Sequence, residues 1–321
     1  ILVSCLKKYL YLKGFVTMTA TLNYSDRLLY DALIVGAGVA GVTCAVWLKR
    51  MGYSVLLLEA SKQVGGMCAR NPFLDEWNPT APHLTGKQVA ANLVRSLALA
   101  EIEPCFNYEV QAVRPLSGAF EVKAVSDSTE HYLQAKKLVV ATGVDYKEPV
   151  ECEGRQFDDV LIGAGARLNN YDFNGKRVAV LGGGDNALEN ALFAQNRGAA
   201  EVVVYARTFR GQQHWLERLH PEQVRVGDYV FDPLHKEVAG QAYDVVLVFY
   251  GYEPQAQWLK DLNVVYDAKN YLEVDFATTE TAVEGLYAIG EVTRRQHPCV
   301  VTAMADGVTA AKAIQKALQL A

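Results

Sequence analysis

Three glycines and one carboxylate near the start of the chain have the spacing of a dinucleotide-binding turn. An apolar run at residues 32–35 ends in Gly36-x-Gly38-x-x-Gly41, and an apolar-periodic segment follows. In such a turn the first glycine permits a tight bend, the second lets the backbone approach a pyrophosphate, and the third lets helix and strand pack closely. Glu59 ends the next apolar run, near the position of a carboxylate that binds a ribose 2′-hydroxyl. This pattern predicts a dinucleotide at the N-terminus of a helix.

The same arrangement occurs a second time. A strand pattern at 177–181 leads into Gly182-x-Gly184-x-x-Ala187, and the following strand pattern, 201–205, is succeeded by Arg207. A cation at this place accommodates a 2′-phosphate, whereas the simpler interpretation is a solvated loop arginine. The residues predicted for this second site are Gly182, Gly184, Asp185, Asn186, Ala187, Arg207 and Arg210.

The elements that must position both turns follow a strand–turn–helix–strand order. Further patterns predict a helix over 87–99, alternating strands over 105–125, an apolar strand ending at Gly143 and a long alanine-rich helix from about Val301. We predict an α/β fold with two Rossmann-like, three-layer ββα dinucleotide-binding domains, the first interrupted by the second. The predicted segments are an extension (1–29), the first domain's first part (30–149), the second domain (150–250) and the first domain's second part (251–321).

Composition limits the classes of function. The 321 residues are 50% hydrophobic and 21% charged, with a net charge of −5, which disfavours nucleic acid as a partner. No apolar run reaches the length of a transmembrane segment. Residues 1–17 carry three lysines and are interpreted as an upstream extension with Met18 as the native start, a signal peptide being the alternative. We therefore expect a cytoplasmic location. No spacing of ligands suits a metal.

Six cysteines offer thiol chemistry, and none of them forms a Cys-x-x-Cys motif. They are too few and too scattered for a secreted disulfide framework, so a disulfide here would be catalytic or redox-sensing. Cys44 lies on the predicted apolar helix after the first turn, whereas Cys68 follows Gly65-Gly66-Met67 and Cys299 follows His297-Pro298.

The ordered motifs resemble the low-molecular-weight thioredoxin reductases. In chain order they are Gly36-x-Gly38-x-x-Gly41, Glu59, Gly65-Gly66, Ala141-Thr-Gly143, Gly182-Gly-Gly-Asp-Asn-Ala-Leu-Glu189, Gly285-Leu-Tyr-Ala-Ile-Gly-Glu291 and Thr302-Ala-x-Ala-Asp-Gly307. The resemblance covers Tyr30 to the C-terminus. It implies a homodimeric FAD-dependent oxidoreductase with a second domain shaped for NADPH. The FAD contacts it implies are Gly36, Gly38, Val39, Ala40, Gly41, Glu59, Ala60, Gly65, Gly66, Met67, Ala141, Thr142, Gly143, Gly290, Glu291, Val300, Val301 and Ala303.

The chain departs from this family at its reactive positions. The region of the family's Cys-x-x-Cys, residues 158–167, contains no cysteine and lacks the acid that follows the pair. Pro298-Cys299 replaces an Arg-Gln pair, and Tyr205-Ala206-Arg207 replaces the His-Arg-Arg phosphate clamp. Standard reduction of thioredoxin by NADPH is therefore not expected, and NADPH binding is left open.

By the resemblance, Cys68 and Cys299 both approach the flavin, where a thiolate can attack C4a. They form the candidate catalytic pair, with His297 as a candidate proton shuttle or thiolate partner. The alternative is that both are buried apolar cysteines and that His297 is a surface residue. The sequence also looks like the cyanobacterial branch of diflavin-linked disulfide oxidoreductases. That likeness would place a second FAD under loop 77–83, with Trp77 and His83 as stacking groups.

Three hypotheses remain at this stage. The first is an FAD enzyme that exchanges electrons with a dithiol or disulfide, small molecule or protein, through Cys68 and Cys299. The second is an NADPH-dependent flavin reductase acting on ferredoxin, quinone or another acceptor without a redox disulfide. The third is a catalytically silent flavin-binding redox sensor.

Overall fold

The computed structural model describes residues 29–295 and 297–320. Residues 1–28 of the predicted extension, with Cys5 and Met18, lie outside the described residues.

Alternating or continuous apolar runs form the strands. They are β1 (Leu29–Val35), β2 (Val55–Glu59), β3 (Cys105–Phe106), β4 (Glu109–Leu116), β5 (Ala119–Ser126), β6 (Thr129–Val140), β7 (Val144–Tyr146), β8 (Val160–Ile162), β9 (Arg177–Leu181), β10 (Glu201–Ala206), β11 (Val224–Val226), β12 (Phe231–Asp232), β13 (Glu237–Val238), β14 (Gln241–Ala242), β15 (Val245–Val248), β16 (Tyr252–Pro254) and β17 (Leu286–Ala288). The α-helices are α1 (Val39–Arg50), α2 (Met67–Arg70), α3 (Gly86–Leu99), α4 (Ala166–Asn169), α5 (Asp185–Asn196), α6 (Gln213–Leu216) and α7 (Val300–Leu320).

The chain divides into two compact units. The first comprises the described residues up to Val144 and from Pro254 onward, and the second comprises Asp145–Glu253. The predicted boundaries after 149 and 250 lie within five residues of these two. Each unit holds its own two ends together by a backbone bond. In the first, Gln255 N donates to Gly143 O at 3.1 Å, and in the second, Lys147 N donates to Gly251 O at 2.9 Å.

The first unit is built in three layers. Its sheet has the order β3-β2-β1-β6-β5-β4, and β17 also pairs with β6. The strands β3, β2, β1, β6 and β17 run parallel, whereas β4, β5 and β6 form an antiparallel meander. Because side chains alternate along a strand, Ala32 and Ile34 pack with α1 and α7, while Leu33 and Val35 pack in the opposite cluster with the meander. The carboxyl ends of the parallel strands therefore lie at one edge, beside the first glycine turn.

The second unit carries a parallel sheet of order β11-β10-β9-β15-β8 and a small antiparallel sheet, β12-β13-β14. Val178 and Val180 pack on α5, whereas Ala179 and Leu181 pack on the other face, with Tyr205. Among the described residues, no helix is both long and apolar enough to cross a membrane.

Candidate functional site

The first glycine turn joins β1 to α1, and each of its glycines is required for a different reason. Gly36 has φ +107°, and a Cβ there would lie 2.3 Å from the carbonyl oxygen of Ala141. A Cβ on Gly41 would lie 2.0 Å from the carbonyl oxygen of Gly36, so this residue sets how closely α1 packs on β1. A Cβ on Gly38 would meet nothing within 4 Å. The turn is therefore open only at the glycine where a pyrophosphate would approach.

Glu59, the last residue of β2, directs its carboxylate at this turn. Its Oε2 accepts from the Ala37 amide at 2.7 Å and its Oε1 from the Ser61 amide at 2.9 Å. The carboxylate is thus held beside the turn, where it can also receive a ribose hydroxyl.

A cleft of about 610 Å³ runs along the turn and contains residues predicted from the sequence, namely Gly36, Glu59, Ala60 and Thr142. The Thr142 hydroxyl oxygen is buried without a hydrogen-bond partner among the described residues. Buried polar groups are normally hydrogen-bonded, so this oxygen is a candidate for a hydrogen bond with a bound ligand. The open cradle, the carboxylate and this hydroxyl together fit the adenosine and pyrophosphate of FAD. Lining residues that the sequence patterns did not reveal are Tyr108, Glu109, Val110, Gln111, Gln255, Gln257, Trp258 and Lys260.

Cys68 lies on α2, the short helix that directly follows Gly65 and Gly66. Gly65 and Gly66 both have positive φ (+118° and +53°), and the Gly65 amide donates to Ala37 O at 2.9 Å, which ties this segment to the first turn. Cys68 packs against the same apolar cluster as Val300 and Ala303 at the start of α7.

The Cys68 thiol is strongly biased toward its protonated form. Burial raises its pKa to about 12, and the carboxylates of Asp75 and Glu291 add to this effect by disfavouring a second negative charge.

Glu291 and Cys299 line one small crevice together with His297 and Pro298. Glu291 lies in a 3₁₀ turn, residues 290–292, that follows β17, and burial raises the pKa of its carboxyl. His297 and Pro298 form the exposed rim. The predicted residues Glu291, His297 and Cys299 therefore meet in one crevice, and Cys68 is not among its lining residues.

Cys299 immediately precedes α7 and begins its first turn, since the Ala303 amide donates to Cys299 O at 3.0 Å. Its Sγ lies 3.3 Å from the Thr302 hydroxyl oxygen. Cys68 and Cys299 both carry free thiols here, as do the fully buried Cys44, Cys105 and Cys152. Val301, predicted as a cofactor contact, is exposed, whereas Val300 and Ala303 are partly buried.

A buried ion pair that sequence reasoning missed fixes the segment carrying this crevice. The Arg295 guanidinium pairs with the carboxylate of Asp306 on α7, and only 9% and 3% of the two side chains are exposed. Asp306 also accepts from the Gly290 amide at 3.1 Å, and Arg295 donates to Phe276 O at 2.8 Å. The only sequence signal was Asp306 itself, the one acidic residue of α7.

The second glycine turn, between β9 and α5, repeats the geometry of the first. Gly182 has φ +140°, and a Cβ there would lie 2.4 Å from Phe249 O, whereas a Cβ on Gly184 would meet nothing within 4 Å. Ala187, in the third position, is buried without exposed area. Asp185 and Asn186 begin α5.

The predicted arginines flank this second turn. Arg207 follows the last residue of β10 and is exposed, and Arg210 is also exposed while its amide donates to Gly183 O at 2.7 Å. The Asp185 carboxylate accepts from the Gln212 amide at 2.6 Å, which holds the arginine loop against the start of α5. Among the described residues, the second turn is therefore open and two cationic side chains flank it. Free backbone amides and arginines of this kind can donate hydrogen bonds to the phosphates of a dinucleotide.

Residues 158–167, where the sequence resemblance would place a cysteine pair, include a glycine that lies against an aromatic ring. Gly163 has φ +69°, and a Cβ there would fall 2.0 Å from Cδ2 of the Tyr146 ring. Tyr146 in turn lies 5.0 Å, centroid to centroid, from Tyr252.

In the first unit, Trp77 of the predicted stacking loop is 68% exposed, while the neighbouring Asn78 is buried and anchors that loop.

Comparison with known proteins places this geometry in a family. The sequence model of the family described as pyridine nucleotide-disulphide oxidoreductase matches residues 30–307. The chain belongs to this family.

Individual relatives agree with that assignment. The chain is 26% identical over 315 residues to a thioredoxin reductase of Bacillus subtilis, covering 91% of this chain and 95% of the relative. It is also 26% identical over 292 residues to a ferredoxin–NADP reductase of Bacillus velezensis, covering 83% and 86%. The crystal structure of thioredoxin reductase from Lactococcus lactis superimposes with a TM-score of 0.76 at 23% identity, covering 91% of this chain and all of that chain.

These findings confirm the predicted α/β fold and the prediction of an FAD-dependent oxidoreductase. Thioredoxin reductase-like members of the family bind FAD and use NADPH. The relatives differ in the electron acceptor that their names record, so the specific role follows from this chain's own site.

Proposed function

We propose that the protein exchanges electrons between bound FAD and a dithiol or disulfide through Cys68 and Cys299. The observation that carries this proposal is the shared environment of the two thiols. Cys299 lines a crevice with Glu291, Glu291 acts electrostatically on Cys68, and Cys68 packs against the same cluster as the first turn of α7. This pair takes the place of the Cys-x-x-Cys that the sequence lacks.

The first glycine turn, Glu59 and Thr142 hold the FAD in this proposal. When bound, FAD supplies the two-electron chemistry, and the protein supplies orientation and the protonation state of the thiols. Cys68 is held as a neutral thiol because burial and two carboxylates oppose its ionisation. His297, on the exposed rim beside Cys299, is the group placed to carry a proton between this crevice and solvent.

A second candidate function has its own support. The second glycine turn is intact, and Arg207 and Arg210 flank it, which favours an NADPH-dependent flavin reductase acting on ferredoxin, quinone or another acceptor. The likeness to a relative named ferredoxin–NADP reductase points in the same direction. In that case the two cysteines do not take part in turnover.

The finer features predicted from the sequence also belong to this proposal. We infer a homodimer of the cyanobacterial diflavin-linked type, with domain boundaries near 149 and 250. The exposed Trp77 supports a second FAD stacked at loop 77–83, since an exposed indole offers a large flat surface. Titration of FAD into flavin-depleted protein, read as flavins bound per chain, tests this stoichiometry.

An anaerobic titration of the purified holoenzyme, followed at the flavin absorbance, separates the two candidates. Dithiothreitol should bleach the flavin in the wild type, and Cys68→Ser or Cys299→Ser should abolish that response. Cys105→Ser is the matched control, because Cys105 is a buried thiol of the same unit that lies outside the site. Prompt bleaching by NADPH, together with unchanged turnover of dithiols and disulfides in both site variants, would make the second candidate correct.

A further inference from the structure

The two cysteines differ in surroundings, and the difference assigns each a role. We propose that Cys299 is the thiol that attacks an external disulfide, that Thr302 stabilises its thiolate, and that Cys68 resolves the resulting mixed disulfide. This inference rests on the proposed dithiol/disulfide function and deepens it.

The position of Cys299 suits a nucleophile. It stands at the N-terminus of α7, a helix of 21 residues, where the unpaired amides and the helix dipole favour a negative charge. Cys299 is itself partly exposed and is bordered by the exposed residues His297 and Pro298, and this is the side from which we expect a small disulfide to approach.

Thr302 is the hydrogen-bond partner of this thiol. Its hydroxyl oxygen lies 3.3 Å from Cys299 Sγ and accepts from the Cys299 amide at 3.2 Å. The same hydroxyl donates to the carbonyl of His297 at 2.6 Å. A hydroxyl has one proton, so as the thiol ionises, the Thr302 O–H can turn from that carbonyl to the sulfur and donate to the thiolate. Thr302 therefore acts as a positioning residue for Cys299.

Cys68 is partly exposed, as Cys299 is, but its neighbours differ. It packs against the apolar cluster that includes Ala37, Val39 and Ala40 of the first turn and helix. Burial and the carboxylate of Asp75 oppose its ionisation; Glu291 acts in the same direction but also lines the Cys299 crevice, so it does not distinguish the two thiols. A thiol in such a place is a poor first nucleophile toward solvent, but it can complete an exchange once a partner sulfur is bound beside it.

The exchange is balanced without any further reactant. The Cys299 thiolate bonds to one sulfur of the external disulfide R–S–S–R, the S–S bond breaks, and one RS⁻ leaves and takes a proton. Cys68 then gives up its proton and attacks Cys299 Sγ, which forms the Cys68–Cys299 disulfide and releases the second RSH. The protein dithiol is oxidised by two electrons, and one disulfide is reduced to two thiols.

The test uses the anaerobic, pre-reduced holoenzyme and hydroxyethyl disulfide as the probe, with peptide mapping by mass spectrometry. In Cys68→Ser we expect a stable mercaptoethanol adduct on Cys299, and in Cys299→Ser we expect Cys68 to stay unmodified over the same time. An adduct on Cys68 in Cys299→Ser, with none on Cys299 in Cys68→Ser, would overturn the assignment.

A second set of variants tests Thr302 in the Cys68→Ser background. A hydrogen bond to a charged group contributes about 1.5–3 kcal/mol, so Thr302→Val should slow adduct formation at neutral pH by about tenfold or more. Thr302→Ser keeps the hydroxyl and should restore most of the rate. Thr309→Val is the matched control, because this hydroxyl of the same helix bonds to Ala305 O instead. Equal rates in the Thr302→Val and parent proteins would contradict the role of Thr302.

Failure here is distinct from failure of the proposed function. If dithiothreitol bleaches the flavin through both cysteines while the adduct forms only on Cys68, the roles are reversed and the function stands. If dithiothreitol does not bleach the flavin in the wild type, the function itself fails, whatever the adduct map shows.

Discussion

Replacing Arg295 by Met should lower the free energy of unfolding of the first unit, because it removes one partner of the buried ion pair with Asp306. Arg295 and Asp306 expose only 9% and 3% of their side chains. Removing one partner of such a pair costs about 3–5 kcal/mol, because the other charge stays buried. Asp306 keeps its bond from the Gly290 amide and can take up a proton, so we expect the lower end, about 3 kcal/mol. In a unit of about 200 residues this lowers Tm by about 6–12 °C.

This loss of stability should be larger at high pH than at low pH. Burial already raises the pKa of Asp306, and without the guanidinium it must rise further. The folded state then holds a proton on Asp306 at pH values where the unfolded state has released it. The buried carboxyl therefore does not reduce the free energy of unfolding at low pH, but it reduces that free energy as pH rises from the unfolded to the folded pKa. The Arg295→Met deficit should therefore be smaller at about pH 5 than at about pH 8.

Thermal unfolding of the holoenzyme, followed by intrinsic fluorescence, measures both effects. Arg294→Met is the matched control: its side chain is 51% exposed and lies 3.6 Å from Asp267, so it should cost less than about 1 kcal/mol. Adding Asp306→Asn to Arg295→Met should recover part of the stability at high pH, since no charge remains buried. Equal Tm losses in the two single arginine variants, or a deficit independent of pH, would refute this reasoning.

Two further predictions concern the first glycine turn and α5, the helix that follows the second glycine turn. Gly41→Ala should destabilise the first unit by about 3 kcal/mol or more, because its Cβ would meet Gly36 O at 2.0 Å, whereas Gly38→Ala should leave the Tm of the flavin-free protein unchanged and only weaken FAD retention. Equal Tm losses in both variants would speak against this difference. In the second unit, burial and Asp185 raise the pKa of Glu189 to about 7. The wild type should lose stability as pH rises from about 5 to about 8 while Glu189→Gln does not, and parallel unfolding curves would contradict that assignment.

The glycine turns could be predicted from the sequence because their function is local. Gly36, Gly38 and Gly41 act through backbone geometry within a few residues, and their spacing is readable without knowing the rest of the fold. The helices predicted over 87–99 and from about Val301 begin within one residue of the observed helices Gly86–Leu99 and Val300–Leu320, because helical periodicity and composition are also local signals.

What the sequence did not reveal depends on distant parts of the chain. Gln257 and Trp258 reach the FAD cleft only because the chain returns to the first unit after a long insertion, and no motif marks them. Arg295 and Asp306 meet because a loop folds back on α7. The apolar neighbours of Cys68, such as Val39 and Ala40, likewise lie far from it in the sequence, so spacing alone cannot supply them.

The closed ends of each unit have a consequence at the level of the gene. Gly143 and Gln255 are joined within the first unit, and Lys147 and Gly251 within the second, and the short paired strands β7 and β16 run through the two crossing points. Recombination at these two points would exchange the whole inserted segment without interrupting the seven-stranded or the five-stranded sheet. Cys68 and Cys299 both belong to the first unit and would be carried along intact. Under the proposed function, a lineage can thus change the inserted unit, and with it the electron donor, while both candidate thiols are inherited unchanged.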